Sequence, residues 1–455
     1  MSEKTLTTGK ALPPKKSSGS IRFSDNKRKK TSANTFSSAQ NKRKAYSAAR
    51  NISSNGASSI RAVPSNTSSV KSKAVHTEKT KTKTRWVRSG FDYPLFTIVL
   101  ILLAFGLIMM FSASYAVAYT TTGDSLFYLK KQATFAVIGL SAMIIASNVD
   151  YHIFGKKPIP FILFGVSLFF MVMVKLVGST ENGSERWLAI GSIKFQPSEI
   201  LKFAVIVIFA YMIEKKYRHL KELKKGYMPF MVVLALSCIS LIAQPHLSGT
   251  IIVFAIGIAM MFVGGLNSKH LIVTIVLMIP AVILGIAFLK QIGYDYFDAR
   301  IISFIDPEAD IQNDTFQTYQ SLVTIGSGGL FGLGFGNSRQ KYAYLPEARN
   351  DFIFPIICEE LGFVGAALVI LLFVLLIWRG FYIAIKARDK FGMMLAFGIT
   401  FQIGLQALLN IAVVTNSVPN TGISLPFFSY GGTALLMQLG EMGILLNVSR
   451  KAALK

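Results

Sequence analysis

"FIFPIICEELGFVGAALVILLFVLLIW", Phe352 to Trp378, decides the fold class. Apart from Glu359 and Glu360 it carries no charge. As a helix rising 1.5 Å per residue it would reach about 40 Å, beyond the roughly 30 Å of bilayer hydrocarbon. "PLFTIVLILLAFGLIMMFSAS", Pro94 to Ser114, is a second run of the same kind. Hydropathy gives about ten such spans, at 94–114, 128–147, 158–177, 198–214, 228–244, 248–265, 270–290, 353–378, 392–415 and 428–447. The expected class is an all-α polytopic membrane protein. Both cysteines, Cys238 and Cys358, lie in apolar segments and form no disulfide framework or metal-spacing pattern.

Charge is unevenly placed along the 455 residues. The formal net charge is +25, and residues 1–91 carry 21 Lys and Arg against 3 Asp and Glu, +18 of that total. Ser, Thr, Asn, Lys and Ala dominate this tail, a composition that cannot bury enough surface to fold. Basic tails invite a nucleic-acid reading, but few aromatics and no folded motif accompany the charge. Anionic lipid headgroups are the expected partner, and no nucleic acid. The first apolar run starts near Pro94, too late for a cleavable signal peptide, so the first span is expected to direct insertion. The expected domains are a disordered basic tail at 1–91, a ten-helix membrane domain at 92–450 and a short basic end at 451–455.

The basic segments "EKKYRHLKELKKG", "RGFYIAIKARDKFG" and "SRKAALK" fall on the tail's side of the membrane if the number of spans is even. Both termini are therefore expected in the cytoplasm. The outer side receives 178–197, the long segment 291–350 between spans seven and eight, and 416–427. A connection as long as 291–350 is usually functional.

Those outer segments hold the unusual residues. "YLPEARNDFIFPIICEELG" places Glu347, Asp351, Glu359 and Glu360 around Arg349, at the lip of an apolar helix. Asp351 could take a proton from a substrate hydroxyl, or it could be a helix-start acid satisfied by the dipole. Glu359 and Glu360 lie deeper and need partners. In "NGSERWLAIGSIKFQPSEILKF", Asn-Gly suggests a turn and Trp187 suits the interface. Arg186 and Lys194 could hold a phosphate or diphosphate, or anchor to lipid phosphates; spacing alone leaves these equal. Glu199 and Lys202 form a pair three apart, either a helix–helix tie or the wall of a polar cleft. "GSGGLFGLGFGNSRQK" lacks the preceding strand and the Lys-Ser/Thr of a P-loop, so nucleotide binding is rejected. Its glycines suit close backbone approach, and Arg339 and Lys341 add cations. "VPNTGISLPFFSYGG" reads as an irregular loop at membrane depth, with Ser429 a candidate substrate contact. Gln402, Gln406 and Asn410 share a face of span nine, where interhelical hydrogen bonding is their commoner use. Together these residues describe an outward polar cleft suited to a client with an apolar anchor, a phosphate and a polar headgroup. A lipid-linked sugar has that chemistry.

Three blocks, "GSERWLAIGSIKFQPSEILK", "GSGGLFGLGFGNSRQKYAYLPEARNDFIFPIICEELGFVG" and "VPNTGISLPFFSYGG", resemble in order the SEDS family (shape, elongation, division and sporulation) over residues 90–450. The wording is closer to the division branch (FtsW-like, with its sporulation relatives) than to the elongation branch (RodA-like). The tail has no counterpart. The resemblance implies a ten-helix peptidoglycan glycosyltransferase in the bacterial cytoplasmic membrane, at the division septum. It would polymerise lipid II, the undecaprenyl-diphosphate-linked disaccharide peptide, beside a class B penicillin-binding protein and other divisome proteins. The family's essential acid falls on Asp351, its cationic pair on Arg186 and Lys194, and its Glu–Lys pair on Glu199 and Lys202. Trp187, Arg339, Lys341, Glu347 and Ser429 join them as expected substrate contacts. Where the family often has His-Thr, this chain has Arg349-Asn350, and where some relatives carry Lys it has Thr421. A divalent cation, Mg or Mn, could share the diphosphate's charge, though no dedicated metal cage is visible. Two other classes remain open: a lipid II flippase, with polar groups through the whole membrane depth, and a non-catalytic division scaffold.

Overall fold

The computed structural model describes residues 90–181, 184–190, 193–244, 246–277, 280, 296–313, 315–342 and 344–452. The basic tail, except 90 and 91, most of the expected seventh span and the final residues 453–455 lie outside the described residues. The chain order is α1 (Tyr93–Thr122), α2 (Phe127–Asn148), α3 (Ile159–Val177), β1 (Ser179–Glu181), β2 (Ser184–Ile190), β3 (Ile193–Phe195), α4 (Pro197–Lys215), α5 (Met228–Ile242), α6 (Leu247–Gly264), α7 (Ser268–Leu277), α8 (Tyr296–Ile305), α9 (Phe316–Ser327), α10 (Ile353–Lys386), α11 (Lys390–Val414) and α12 (Gly432–Lys451).

Among the described residues, seven helices are long and apolar enough to cross a membrane: α1, α2, α3, α5 with its preceding turn, α6, α10 and α11. Helix α4 belongs to a different category. It is buried at nearly every position from Pro197 to Ile213, as expected of a helix enclosed on all sides. Helices α3, α6 and α11 pack around it. Helix α2 lies along α12, and α1 and α11 flank α10. Enclosure lets α4 carry Glu199 and Lys202 inside the protein, where lipid-facing charge would be costly.

Two expectations change. The fold is mostly helical but not all-α, because β1, β2 and β3 form a small antiparallel sheet. Glu181 pairs with Ser184 and Leu188 with Phe195. The cause is local: Asn182-Gly183 is a strong hairpin dipeptide. The run at 352–378 is also not one straight helix. Gly362 breaks α10 with φ 68° and ψ −164°.

The break explains the glycine-rich segment. Leu333 and Gly334 donate backbone N–H groups to the carbonyls of Glu359 and Glu360, while Phe363 and Val364 donate to Gly329 and Leu330. Backbone meets backbone so closely that a Cβ at Gly328 would lie 1.9 Å from the Cys358 carbonyl oxygen. Glycine is required there for approach to a helix, and the exchanged hydrogen bonds satisfy the groups freed by the kink.

Candidate active site

Asp351 sits one residue before Phe352, the N-cap of α10, so the turn Pro346–Asp351 aims it. Asn410 of α11 clamps this turn: its Nδ2 donates to the Asp351 carbonyl at 2.7 Å and to the Ile423 carbonyl at 2.6 Å. The segment around Ile423 therefore lies against the turn. Gly422 adopts φ 67°, and a Cβ there would stand 3.1 Å from Asp351 Oδ2. Gly422→Ala should accordingly strain the backbone by about 1–2 kcal/mol and displace the carboxylate. Any chemistry that Asp351 performs should fall about tenfold or more, since small misplacements of reacting groups are costly. A wild-type rate in this variant would show that the approach is loose.

A polar chain links this loop to α4. Lys202 Nζ pairs with Glu199 at 2.8 Å and donates to Gln406 Oε1 at 3.1 Å. Gln406 Nε2 in turn donates to the Ser424 carbonyl and hydroxyl, both at 3.1 Å. Gln402 Nε2 reaches both oxygens of Glu441 on α12, at 3.2 and 3.0 Å. The polar face of span nine thus ties helices together. The Glu199–Lys202 pair is nearly closed to solvent, with side chains 8% and 4% exposed. It braces the loop that meets Asp351.

The electrostatics single out Asp351. Burial pushes its carboxyl up to about 6, and the Glu347 carboxylate pushes the same way. Arg186 of β2 and Arg300 of α8 pull against them. Strand β2, helix α8 and the turn before α10 therefore converge electrostatically on one carboxylate. Arg186 and Trp187 are partly exposed on β2. Lys194 pairs with Ala189 across the sheet, but its side chain lies outside the described part.

Other expected contacts are occupied internally. Lys341 is fully enclosed and ion-paired to Glu360 at 2.8 Å, with a further bond to the Gly336 carbonyl at 2.5 Å. Glu360 also accepts from Ser112 at 2.7 Å, and Glu359 accepts from Ser338 Oγ and from Arg339 N at 3.0 Å. The deep acids thus find their partners in the glycine-rich segment, and Lys341 neutralises one of them. Arg339 keeps an exposed side chain. Ser429 Oγ accepts from Leu425 N at 2.7 Å, which closes the turn before α12.

Sequence reasoning missed Arg300 and His246. Arg300 lies inside the long outer segment without a motif around it. His246, 8% exposed at the head of α6, belongs to "QPHLSG". Burial, then Arg186 and Lys202, hold its imidazole down at about 3, so it is neutral at working pH. A lone His between two spans gives no signal until the fold places it beside Arg186.

Residues 93–454 match the family model FTSW_RODA_SPOVE, described as "Cell cycle protein". A Geobacter sp. (strain M18) protein named "Probable peptidoglycan glycosyltransferase FtsW" is 39% identical, over 80% of this chain and 97% of that protein. "Stage V sporulation protein E" of Bacillus subtilis (strain 168) is also 39% identical, over 79% and 97%. A solved structure described as "Structural coordination of polymerization and crosslinking by a peptidoglycan synthase complex" superposes with TM-score 0.65 at 25% identity, covering 79% of this chain and 98% of that one. The Thermus thermophilus rod shape determining protein RodA superposes with TM-score 0.59 at 25% identity, covering 80% and 98%. The chain belongs to the FtsW/RodA/SpoVE family of cell cycle proteins.

Proposed function

We propose that the chain is a peptidoglycan glycosyltransferase that joins lipid II units into β-1,4 glycan strands at the outer face of the bacterial cytoplasmic membrane. The observation that carries this reading is one carboxylate, Asp351, on whose charge two arginines from separate elements act. A base beside cations suits transfer of a sugar from a diphosphate. Asp351 takes the proton from the 4-hydroxyl of the acceptor's N-acetylglucosamine. That oxygen bonds to the anomeric carbon of the donor's N-acetylmuramic acid, and the bond to undecaprenyl diphosphate breaks with its electrons on the leaving oxygen. Single displacement turns α into β, with the base acting as in inverting glycosidases. Arg186, Arg300 and Lys194 would hold the diphosphate as its negative charge grows.

Among the described residues, no three His, Cys, Asp or Glu side chains converge on one point. The finer reading also includes ten spans, both termini inside the cell, and a septal location. A class B penicillin-binding protein and other divisome proteins would work beside it, and the basic tail would lie on anionic lipid. In the flippase alternative the polar groups would serve passage, and in the scaffold alternative Asp351 would be dispensable. Full-length protein with its penicillin-binding partner and labelled lipid II should yield glycan polymer on a gel. Lipid II crossing liposomes without any polymer would favour transport and overturn the reading.

A further inference from the structure

A cavity of about 230 Å³ lies between α1 and the turn that carries Asp351, and its lining includes Ala113, Val117, Leu345, Pro346, Glu347 and Arg349. Ligand pockets for drug-sized molecules usually span roughly 300–1,000 Å³. This one has room for a group the size of a single sugar ring, and not for a whole disaccharide-peptide headgroup.

Three charged residues line it. Lys341 is already paired with Glu360 at 2.8 Å, and the other two, Glu347 and Arg349, are complementary. The Glu347 carboxylate only accepts hydrogen bonds, and the Arg349 guanidinium only donates them. An anion would meet Glu347 and a cation would meet Arg349. A neutral ring with several hydroxyls satisfies both, because each hydroxyl donates and accepts. The guanidinium carbon lies over the Tyr128 ring, 4.3 Å from its centre. Its Nε is shut away from solvent with no hydrogen-bond partner. The turn is fixed too. Glu347 holds φ 54°, an unusual conformation for a non-glycine residue. The backbone N–H groups of Asn350 and Phe352 donate to its carbonyl at 2.9 and 3.3 Å, and Asn350 Nδ2 holds its carboxylate. Pinned strain of this kind gathers at ligand sites.

Location supplies the assignment. Glu347 and Arg349 stand four and two residues before Asp351, on the same turn, whereas Arg186 and Arg300 come to Asp351 from β2 and α8. We infer that the cavity beside α1 receives the sugar ring bearing the attacking hydroxyl, held between Glu347 and Arg349, while the donor's diphosphate lies on the Arg186 and Arg300 side. This rests on the polymerase reading, and it divides the site into an acceptor half and a donor half.

Two probes separate the halves. A 4-deoxy lipid II donates but cannot accept, and a lipid II C-phosphonate accepts but cannot donate. Full-length wild type, Arg349→Lys and Val117→Phe are compared for single coupling, varying one probe with the other saturating. Arg349→Lys keeps the charge but loses the planar fork, and Val117→Phe fills the cavity from α1 without replacing a polar group. Each variant should raise the KM for the acceptor probe about tenfold, the scale of one lost pocket contact, and leave the KM for the donor probe within about twofold of wild type. Thermal unfolding within a few degrees of wild type checks that both variants fold. If the donor KM rises instead, or both constants stay at wild type in both folded variants, the acceptor assignment is overturned while the polymerase reading stands. A wild type that forms no coupled product overturns both.

Discussion

Replacing Asp351 with Asn is expected to cut polymer formation from lipid II by about 10²–10⁴-fold, the contribution of a positioned general base. Asn keeps the size of the side chain but cannot act as the base. The Asn410 clamp acts on the Asp351 carbonyl, so it survives the change. Loss of polymer would therefore report chemistry and not a collapsed turn. The pH dependence gives an independent reading. With its carboxyl pushed up to about 6 by burial and by Glu347, Asp351 is ionised above that value and protonated below it. Wild-type activity should fall as pH drops through about 6. Residual activity of the Asn variant should show no such step. Wild-type-level polymer from the variant would remove Asp351 from the reaction.

Stability should move the other way. A carboxyl whose pKa is higher in the folded protein than in the unfolded chain favours folding while it is protonated. That contribution is complete below its ordinary value near 4 and is lost as pH rises through about 6. At neutral pH the ionised, crowded Asp351 therefore costs stability, and Asn relieves it. The variant should unfold at a higher temperature than wild type at pH 7.5, with the gap closing toward pH 4. Greater stability with lost activity is the pattern of a group kept for function.

Much of this was legible before any coordinates. Long uncharged runs gave the helices, because a span must be long and oily whatever surrounds it. The first helix, expected at 94–114, runs Tyr93–Thr122, and the ninth, expected at 392–415, runs Lys390–Val414. The residues named around Asp351 were legible because ionisable side chains among oily ones are conspicuous. What the sequence hid was how they divide. Lys341 and Arg186 look alike as cations in outer segments, yet one is sealed against Glu360 and the other acts on the charge of Asp351. That difference is set by the Gly362 kink, which draws the glycine-rich segment against α10. No local pattern announces a kink made by tertiary backbone pairing. His246 and Arg300 were hidden for the same reason, since only the fold brings α6 and α8 toward the Asp351 turn.

The sealed pair supports the other large prediction. Lys341 and Glu360 are both closed to solvent and 2.8 Å apart. Removing one partner of such a pair leaves a buried charge without a counter-charge, at about 3–5 kcal/mol. Lys341→Met should cause that loss. Met fills similar volume, but Glu360 then keeps only neutral or long partners: the Ser112 hydroxyl at 2.7 Å and the Ser338 backbone N–H at 3.4 Å. Adding Glu360→Gln removes the stranded charge, and the double variant should recover most of the stability. The coupling between the two sites should be correspondingly large in a double-mutant cycle of unfolding midpoints. Activity follows from the same contact. Lys341 anchors the glycine-rich segment through Gly336 and starts the stretch that ends in Asp351. The single variant should thus lose polymerisation by loosening this turn, and the double variant, which still lacks the bond to Gly336, should regain stability more fully than activity. If Lys341→Met unfolds at the wild-type temperature yet makes no polymer, Lys341 is a substrate contact after all, and the sealed geometry does not persist in the working enzyme.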